Sequence, residues 1–259
     1  MIILNKFIMK KFITFLSISL LPLFLFANNE ETSFSTDRPT VTASSSLVER
    51  NSFQWEQGFR YDKNGNRGQF TFSNTLLRYG LFDRMELRLS GDAYLYKESG
   101  DFHTEFTGIS VGTKISCFEG KGAIPAISLL ANLAIPNTGT NGVNSKHLAP
   151  SLYLLFDNPI GERFNLGYNI GASWDGSQPN PTSLVTLCLG YKLTDNLGSF
   201  IESYNTFSPN GNSYGIDLGF TYMLAKKLQL DIAGNFDLCH PSSNWGACLG
   251  IAWNFNLKK

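Results

Sequence analysis

The chain has 259 residues, with 21 basic and 21 acidic side chains, a charged fraction of 16% and an aromatic fraction of 14%. The even charge balance excludes the broad basic surface that nucleic-acid binding needs. The charged fraction is low beside the roughly 25% of soluble domains, which points away from an ordinary soluble protein.

The first element is a leader sequence. Lys6, Lys10 and Lys11 precede an apolar run from Phe12 to Phe26, followed by small Ala27. This is the layout of a secretory signal peptide over residues 1–27, with cleavage expected after Ala27. As a membrane anchor the run is shorter than the ~20 residues a spanning helix needs, and Pro22 interrupts it. Without the three lysines, 18 basic residues stand against 21 acidic ones, a mature net charge of −3. No later apolar run reaches spanning-helix length. A secreted chain that is poor in charge and rich in aromatics suggests a transmembrane β-barrel.

Residues 28–51 are polar, rich in Ser and Thr and without period, and are read as an irregular periplasmic leader outside the sheet. From residue 52 to 259 the chain is a barrel-like series of period-two segments. Phe53, Trp55, Phe59 and Tyr61 alternate with Gln54, Glu56, Gly58 and Arg60, and an Asn-Gly turn follows. Gln69–Tyr79 is less clean: Phe70, Phe72 and Leu76 share a face, but Leu77 and Tyr79 break the pattern. In Met85–Tyr96, Met85, Leu87 and Leu89 oppose Glu86, Arg88, Ser90 and Asp92. Glu105–Cys117 sets Ile109, Val111 and Ile115 against Gly108, Ser110, Gly112 and Lys114. Ala123–Pro136 is almost wholly apolar and its facing is ambiguous.

Leu148–Phe156 comes next, then Arg163–Asp175, where Phe164, Leu166 and Tyr168 oppose Arg163, Asn165 and Gly167. In Ser183–Leu193, Val185, Leu187, Leu189 and Tyr191 oppose Cys188, Gly190 and Lys192. Ser199–Asn205 is the least marked segment. Tyr214–Leu224 carries Asp217, Gly219 and Thr221 on its polar face, and Leu228–Leu238 carries Gln229, Asp231, Asn235 and Asp237. Trp245–Phe255 is the last. The expected fold is therefore all-β, an antiparallel up-and-down transmembrane barrel of twelve strands. Most are about 10 residues long, as tilted membrane strands must be, where soluble strands cluster near 5–6. Tight turns alternate with longer loops, and an even strand count returns both termini to the periplasm.

Aromatics at the ends of the apolar faces and small polar residues opposite them predict lipid outside and a polar lumen inside. The lumen set is Glu56, Arg60, Glu86, Arg88, Asp92, Lys114, Arg163, Lys192, Asp217, Asp231 and Asp237. Enclosed charges of both signs must pair, so these residues either fill the interior or line a narrow polar pathway. The leader motif Thr36, Asp37, Arg38, Pro39 is a charged turn, and the leader is the best candidate for a plug. His103, His147 and His240 fall in or beside loops, and Ser145 two residues before His147 does not make a catalytic pair. No cofactor, metal or catalytic role is expected. Cys239 and Cys248 flank the last hairpin but look offset in register, so free thiols are expected rather than a bond.

TDRP after the signal, then FQWEQGFRY, LLRYGLFDRMELRL and a later LTDN turn, resemble a family of bacterial outer-membrane proteins named for the MetA pathway of phenol degradation. The likeness runs from Thr36 to Phe255. The resemblance implies a barrel in the cell outer membrane, in contact with its lipid and inserted by the barrel-assembly machinery. It also implies passage of small-molecule solutes, aromatic or otherwise hydrophobic. The rivals are a closed structural or adhesive barrel and, further off, a membrane-embedded hydrolase.

The compartment is directly measurable. Cleavage near Ala27 and heat-modifiable migration from a detergent-extracted membrane fraction are expected; recovery as a soluble periplasmic protein without detergent would contradict the barrel reading.

Overall fold

In the computed structural model, residues 34–140, 143, 145–240 and 242–257 are described, so the expected signal peptide lies outside them. Thirteen strands follow in chain order: β1 Ser52–Asn64, β2 Arg67–Phe82, β3 Met85–Glu98, β4 Asp101–Phe106, β5 Ser110–Phe118, β6 Ala126–Ala134 and β7 Ala149–Ile160. The series continues with β8 Phe164–Ser173, β9 Thr182–Lys192, β10 Leu197–Ser208, β11 Gly211–Ala225, β12 Leu228–Asp237 and β13 Asn244–Asn256. Neighbouring strands pair antiparallel, with β4 and β5 both on β3, and β1 closes on β13 from Ser52↔Asn256 to Asn64↔Asn244. Apart from the outer side of the short β4, closure leaves the wall no strand edge, so the backbone hydrogen bonds of a strand in lipid are satisfied internally.

Twelve positions build the wall, and the thirteenth strand comes from a break in the segment expected as the single strand Glu105–Cys117. β4 pairs with the far half of β3 (Ala93↔Phe106) and β5 with its near half (Ser90↔Ser110). Two residues of β3 therefore face three, Thr107 to Ile109, which is the arithmetic of a bulge. Gly108 takes up the bend with φ 90°, and Thr107 exchanges hydrogen bonds with the Asp92 backbone at 2.9 and 3.0 Å. The 135–140 loop tucks against the break, where Thr138 Oγ1 accepts the Ile109 N–H at 2.9 Å.

A second bulge explains the broken alternation of β2. The register shifts between Thr71 and Ser73 against β3, so Phe70 and Leu77 both point outward although their spacing is odd. Leu76, expected beside Phe70, is instead paired with Glu56 and Ser90 and shares their inner face. The same shift carries Arg78 inside. The weakly marked segment Ser199–Asn205 proves to lie within β10, a strand of 12 residues paired on both sides.

The facing of the wall is uniform. Leu87 and Leu89 are 41% and 42% exposed on the outside, while Glu86, next to Leu87, is fully buried. A soluble barrel would invert this, because burying charge against an apolar core is prohibitive without partners. An outer belt of aliphatic and aromatic side chains over a charged interior is the surface a barrel presents to lipid.

In β11, Leu218 is 47% exposed and Asp217 only 5%. Leu218→Arg should destabilise the barrel by roughly 2–4 kcal/mol, as a guanidinium near mid-membrane does, and Asp217→Asn by clearly less. Denaturant unfolding from lipid vesicles measures both; equal losses would contradict the facing.

Candidate functional site

Polar wall residues need partners, and the leader brings them. Residues 34–50 belong to the same compact unit as the strands. Apart from a single parallel bridge from Arg50 to Gly80, they form no strand. Their Ser, Thr and backbone groups bond to inward-facing side chains from β1 round to β12. All of these contacts fall toward the end of the barrel where the tight turns lie.

The centre of this site is the carboxylate of Asp37. Arg88 Nη2 lies 2.7 Å from Asp37 Oδ2, and Lys114 Nζ reaches Oδ1 and Oδ2 at 3.0 and 3.2 Å. Arg78 Nη1 stands 3.8 Å away. The cations are themselves tied to the wall: Arg78 to Glu56 at 3.0 Å and to Glu86 at 2.8 Å, and Arg88 to Glu86 at 2.7 Å. Three wall cations thus meet two wall carboxylates, and Asp37 supplies the third. Arg78, Glu56, Glu86 and Lys114 are at 0% exposure, and the side chains of Asp37 and Arg88 are at 8%. Lys114 also donates to the Ser44 carbonyl at 2.7 Å, and Arg78 to the Ser46 carbonyl at 3.1 Å. Glu86 accepts the Val48 N–H at 2.7 Å. The wall therefore holds the leader's backbone as well as its charge.

Arg38 makes the second anchor. Its Nη2 pairs with Asp231 at 3.1 Å and its Nη1 donates to Asn74 at 2.9 Å. The guanidinium lies over Gly58 and Gly250, which are register partners on β1 and β13. A Cβ built on either would run into it, so the niche exists because both positions lack a side chain. Across the barrel, Glu202 accepts the N–H groups of Val41 and Thr42 at 2.8 and 2.5 Å and the Thr42 hydroxyl. That hydroxyl also meets Thr186 at 2.8 Å. Asp157 accepts the Ser45 N–H at 2.5 Å and the Ser44 hydroxyl at 3.2 Å. Thr36 accepts from Gln229 at 3.0 Å, and the Arg38–Pro39 bond is cis.

Of the residues singled out from the sequence, Glu56, Glu86, Arg88, Lys114 and Asp231 contact the leader. Arg60 and Asp92 lie further toward the long loops, Arg60 in a 2.7 Å pair with Asp62 and Asp92 accepting from Asn74 at 2.9 Å. Asp217 is buried beside its register partner Glu202. Two expectations need correction. Arg163 is exposed in the β7–β8 turn, reaching the Tyr191 hydroxyl at 3.5 Å. Lys192 pairs with Asp195 at 2.8 Å at the next tight turn. For both, the alternation runs past the point where the wall encloses anything. Asp237 lies at the long-loop mouth, 26% exposed, and caps the N–H groups of Cys239 and His240 at 2.7 and 3.1 Å.

Arg78, Asp157 and Glu202 do not stand out in the sequence. The bulge at Thr71–Ser73 hides the phase of Arg78, Asp157 lies just past the apolar run Leu148–Phe156, and Glu202 lies in the least marked segment. Ser145 donates to the backbone carbonyl of His147 rather than to its ring, which gives no support to a hydrolase. All four cysteines are free.

The family model described as "Putative MetA-pathway of phenol degradation" matches residues 36–255, and so takes in the leader motif from its first residue. The chain belongs to this family. Among solved structures, an outer membrane channel from Pseudomonas putida F1 superposes with a TM-score of 0.64 at 11% identity, covering 84% of this chain and all of that one. The NanC porin gives 0.57 at 7% identity, covering 77% of this chain and 98% of its own. The KdgM porin gives 0.51 at 9%, covering 77% and 99%. At these identities the likeness establishes the barrel fold. No curated protein matches the sequence.

Removing one member of a buried charge network strands the others, at a typical cost of 3–5 kcal/mol. Arg78→Met should reach that range in vesicle unfolding, since Glu56, Glu86 and Asp37 all lose a partner. A loss below about 1 kcal/mol, the level of an exposed pair, would contradict the network.

Proposed function

We propose that this family member is an outer-membrane channel for small solutes, closed at its tight-turn end by residues 34–50, with both termini on the periplasmic side. The supporting observation is a difference between the two halves of the interior. In the leader-filled half, the side chains of Arg78, Glu56 and Glu86 are 0% exposed. On the long-loop side, the inward-facing pair Arg60 and Asp62 remains 40% and 30% exposed. Water therefore enters the barrel from the long loops and stops at the leader.

A closed structural barrel fills its interior with its own wall side chains, as eight-stranded barrels do. Here the filling is a separate segment, joined to the wall covalently only where it runs into β1. A filler of that kind can be withdrawn at the cost of no more than the single bridge from Arg50 to Gly80. The cargo proposed is a small molecule, and the family's name favours an aromatic or otherwise hydrophobic one. Outer-membrane lipid and the barrel-assembly machinery are the proposed partners. No residue is assigned a catalytic role.

Single-channel recording in planar bilayers tests this. The double variant Asp37→Ala/Arg38→Ala loses both anchors and should pass several times the time-averaged current of the unaltered protein. Equally low current in both would favour the closed structural barrel.

A further inference from the structure

Three basic side chains, from β2, β3 and β5, converge on a carboxylate that none of those strands supplies. Within the wall Arg78 is matched by Glu56 and Glu86, and Arg88 shares Glu86. Among the described residues Lys114 is different: its one carboxylate partner within 4.0 Å is Asp37, and its other hydrogen bonds go to leader carbonyls. Arg88 is 8% exposed, and its Nε has no hydrogen-bond partner. The cluster thus has one cation more than its wall can neutralise and one spare donor. Its donors address both oxygens of the incoming carboxylate through charge-assisted hydrogen bonds, which are shorter and stronger than neutral ones.

We propose that Arg78, Arg88 and Lys114 form a binding site for the carboxylate of a small organic acid, with Asp37 as the occupant when the leader is seated. When the leader withdraws, an unneutralised cation remains in a buried setting, and its cost is relieved by any monoanion of the right shape. Glu56 and Glu86 flank the cluster and repel a dianion, so the site prefers carboxylate to phosphate. Asp37 is then a tethered mimic of the solute, and leader and solute exclude one another. The binding site stands on the geometry of the cluster; its role in gating rests on the channel reading above.

The test uses the full chain carrying Asp37→Ala, with Asp37→Asn as an isosteric second variant. Unfolding in vesicles is followed with added acetate or benzoate, against acetamide, benzyl alcohol, phosphate and chloride at matched ionic strength. Acetate and benzoate at millimolar levels should restore most of the lost stability, the uncharged analogues none, and phosphate and chloride less than acetate. Adding Arg88→Gln should abolish the rescue. Equal effects of acetate and acetamide, or of acetate and chloride, would overturn the site. In planar bilayers, benzoate should reduce the Asp37→Ala current and benzyl alcohol should leave it unchanged; equal block by both would overturn the gating role. If no variant carries current, the channel reading fails, while the stability comparison still decides whether the site exists.

Discussion

A charge enclosed in a barrel must find a partner there, and most of this structure follows from how one wall meets that demand. Arg78, Arg88 and Lys114 bring three cations to a patch where the wall offers only Glu56 and Glu86, and the deficit is made good by Asp37 of a segment that is not part of the wall. Partial neutralisation would be worse than an apolar interior, because each unmatched group keeps its full desolvation cost. The leader is therefore part of the fold's energetics.

The other features of the inner face are consistent with that placement. Gly58 and Gly250 make room for Arg38, and Gly80 lets the leader backbone pass close to β2, where a side chain would strike Glu49. Among the described residues Glu202 and Asp157 have no cation within 4.0 Å; leader N–H and hydroxyl groups satisfy them instead, with Asn165 of the wall also donating to Asp157. Short Ser and Thr side chains suit a segment that must satisfy wall groups on every side while keeping its own backbone accessible. Outside, the demands are reversed: lipid requires only that no polar group be left over, and the closed strand pairing meets that condition.

How much of this is legible in the sequence depends on the period. Alternation with period two survives wherever strands are regular, so the facing of β3, β5, β11 and β12 can be read directly from Met85–Asp92, Ile109–Lys114, Tyr214–Leu224 and Leu228–Asp237. Bulges break it. One surplus residue near Phe72 reverses the apparent face of everything after it, which conceals Arg78, the wall residue with the most ionic partners among the described residues. The split of β4 from β5 is invisible for a similar reason, since a glycine with positive φ between two strands looks like a polar-face residue of one long strand. Periodicity also says nothing about where a wall stops enclosing space, hence the misplacement of Arg163 and Lys192 in the interior. The leader is recognisable as aperiodic and charged, but its partners are as far as 211 residues away, and no local pattern encodes them.

The central claim is that the leader occupies the lumen and closes it, and a reversible covalent lock tests this most directly. The hydroxyls of Thr42 and Thr186 lie 2.8 Å apart, so Thr42→Cys/Thr186→Cys in a background lacking the four native cysteines should oxidise to an intramolecular disulfide. Bilayer current should vanish in the oxidised protein and return when a reductant is added to the chamber. Failure of the pair to link, or a current that is the same before and after reduction, would contradict it.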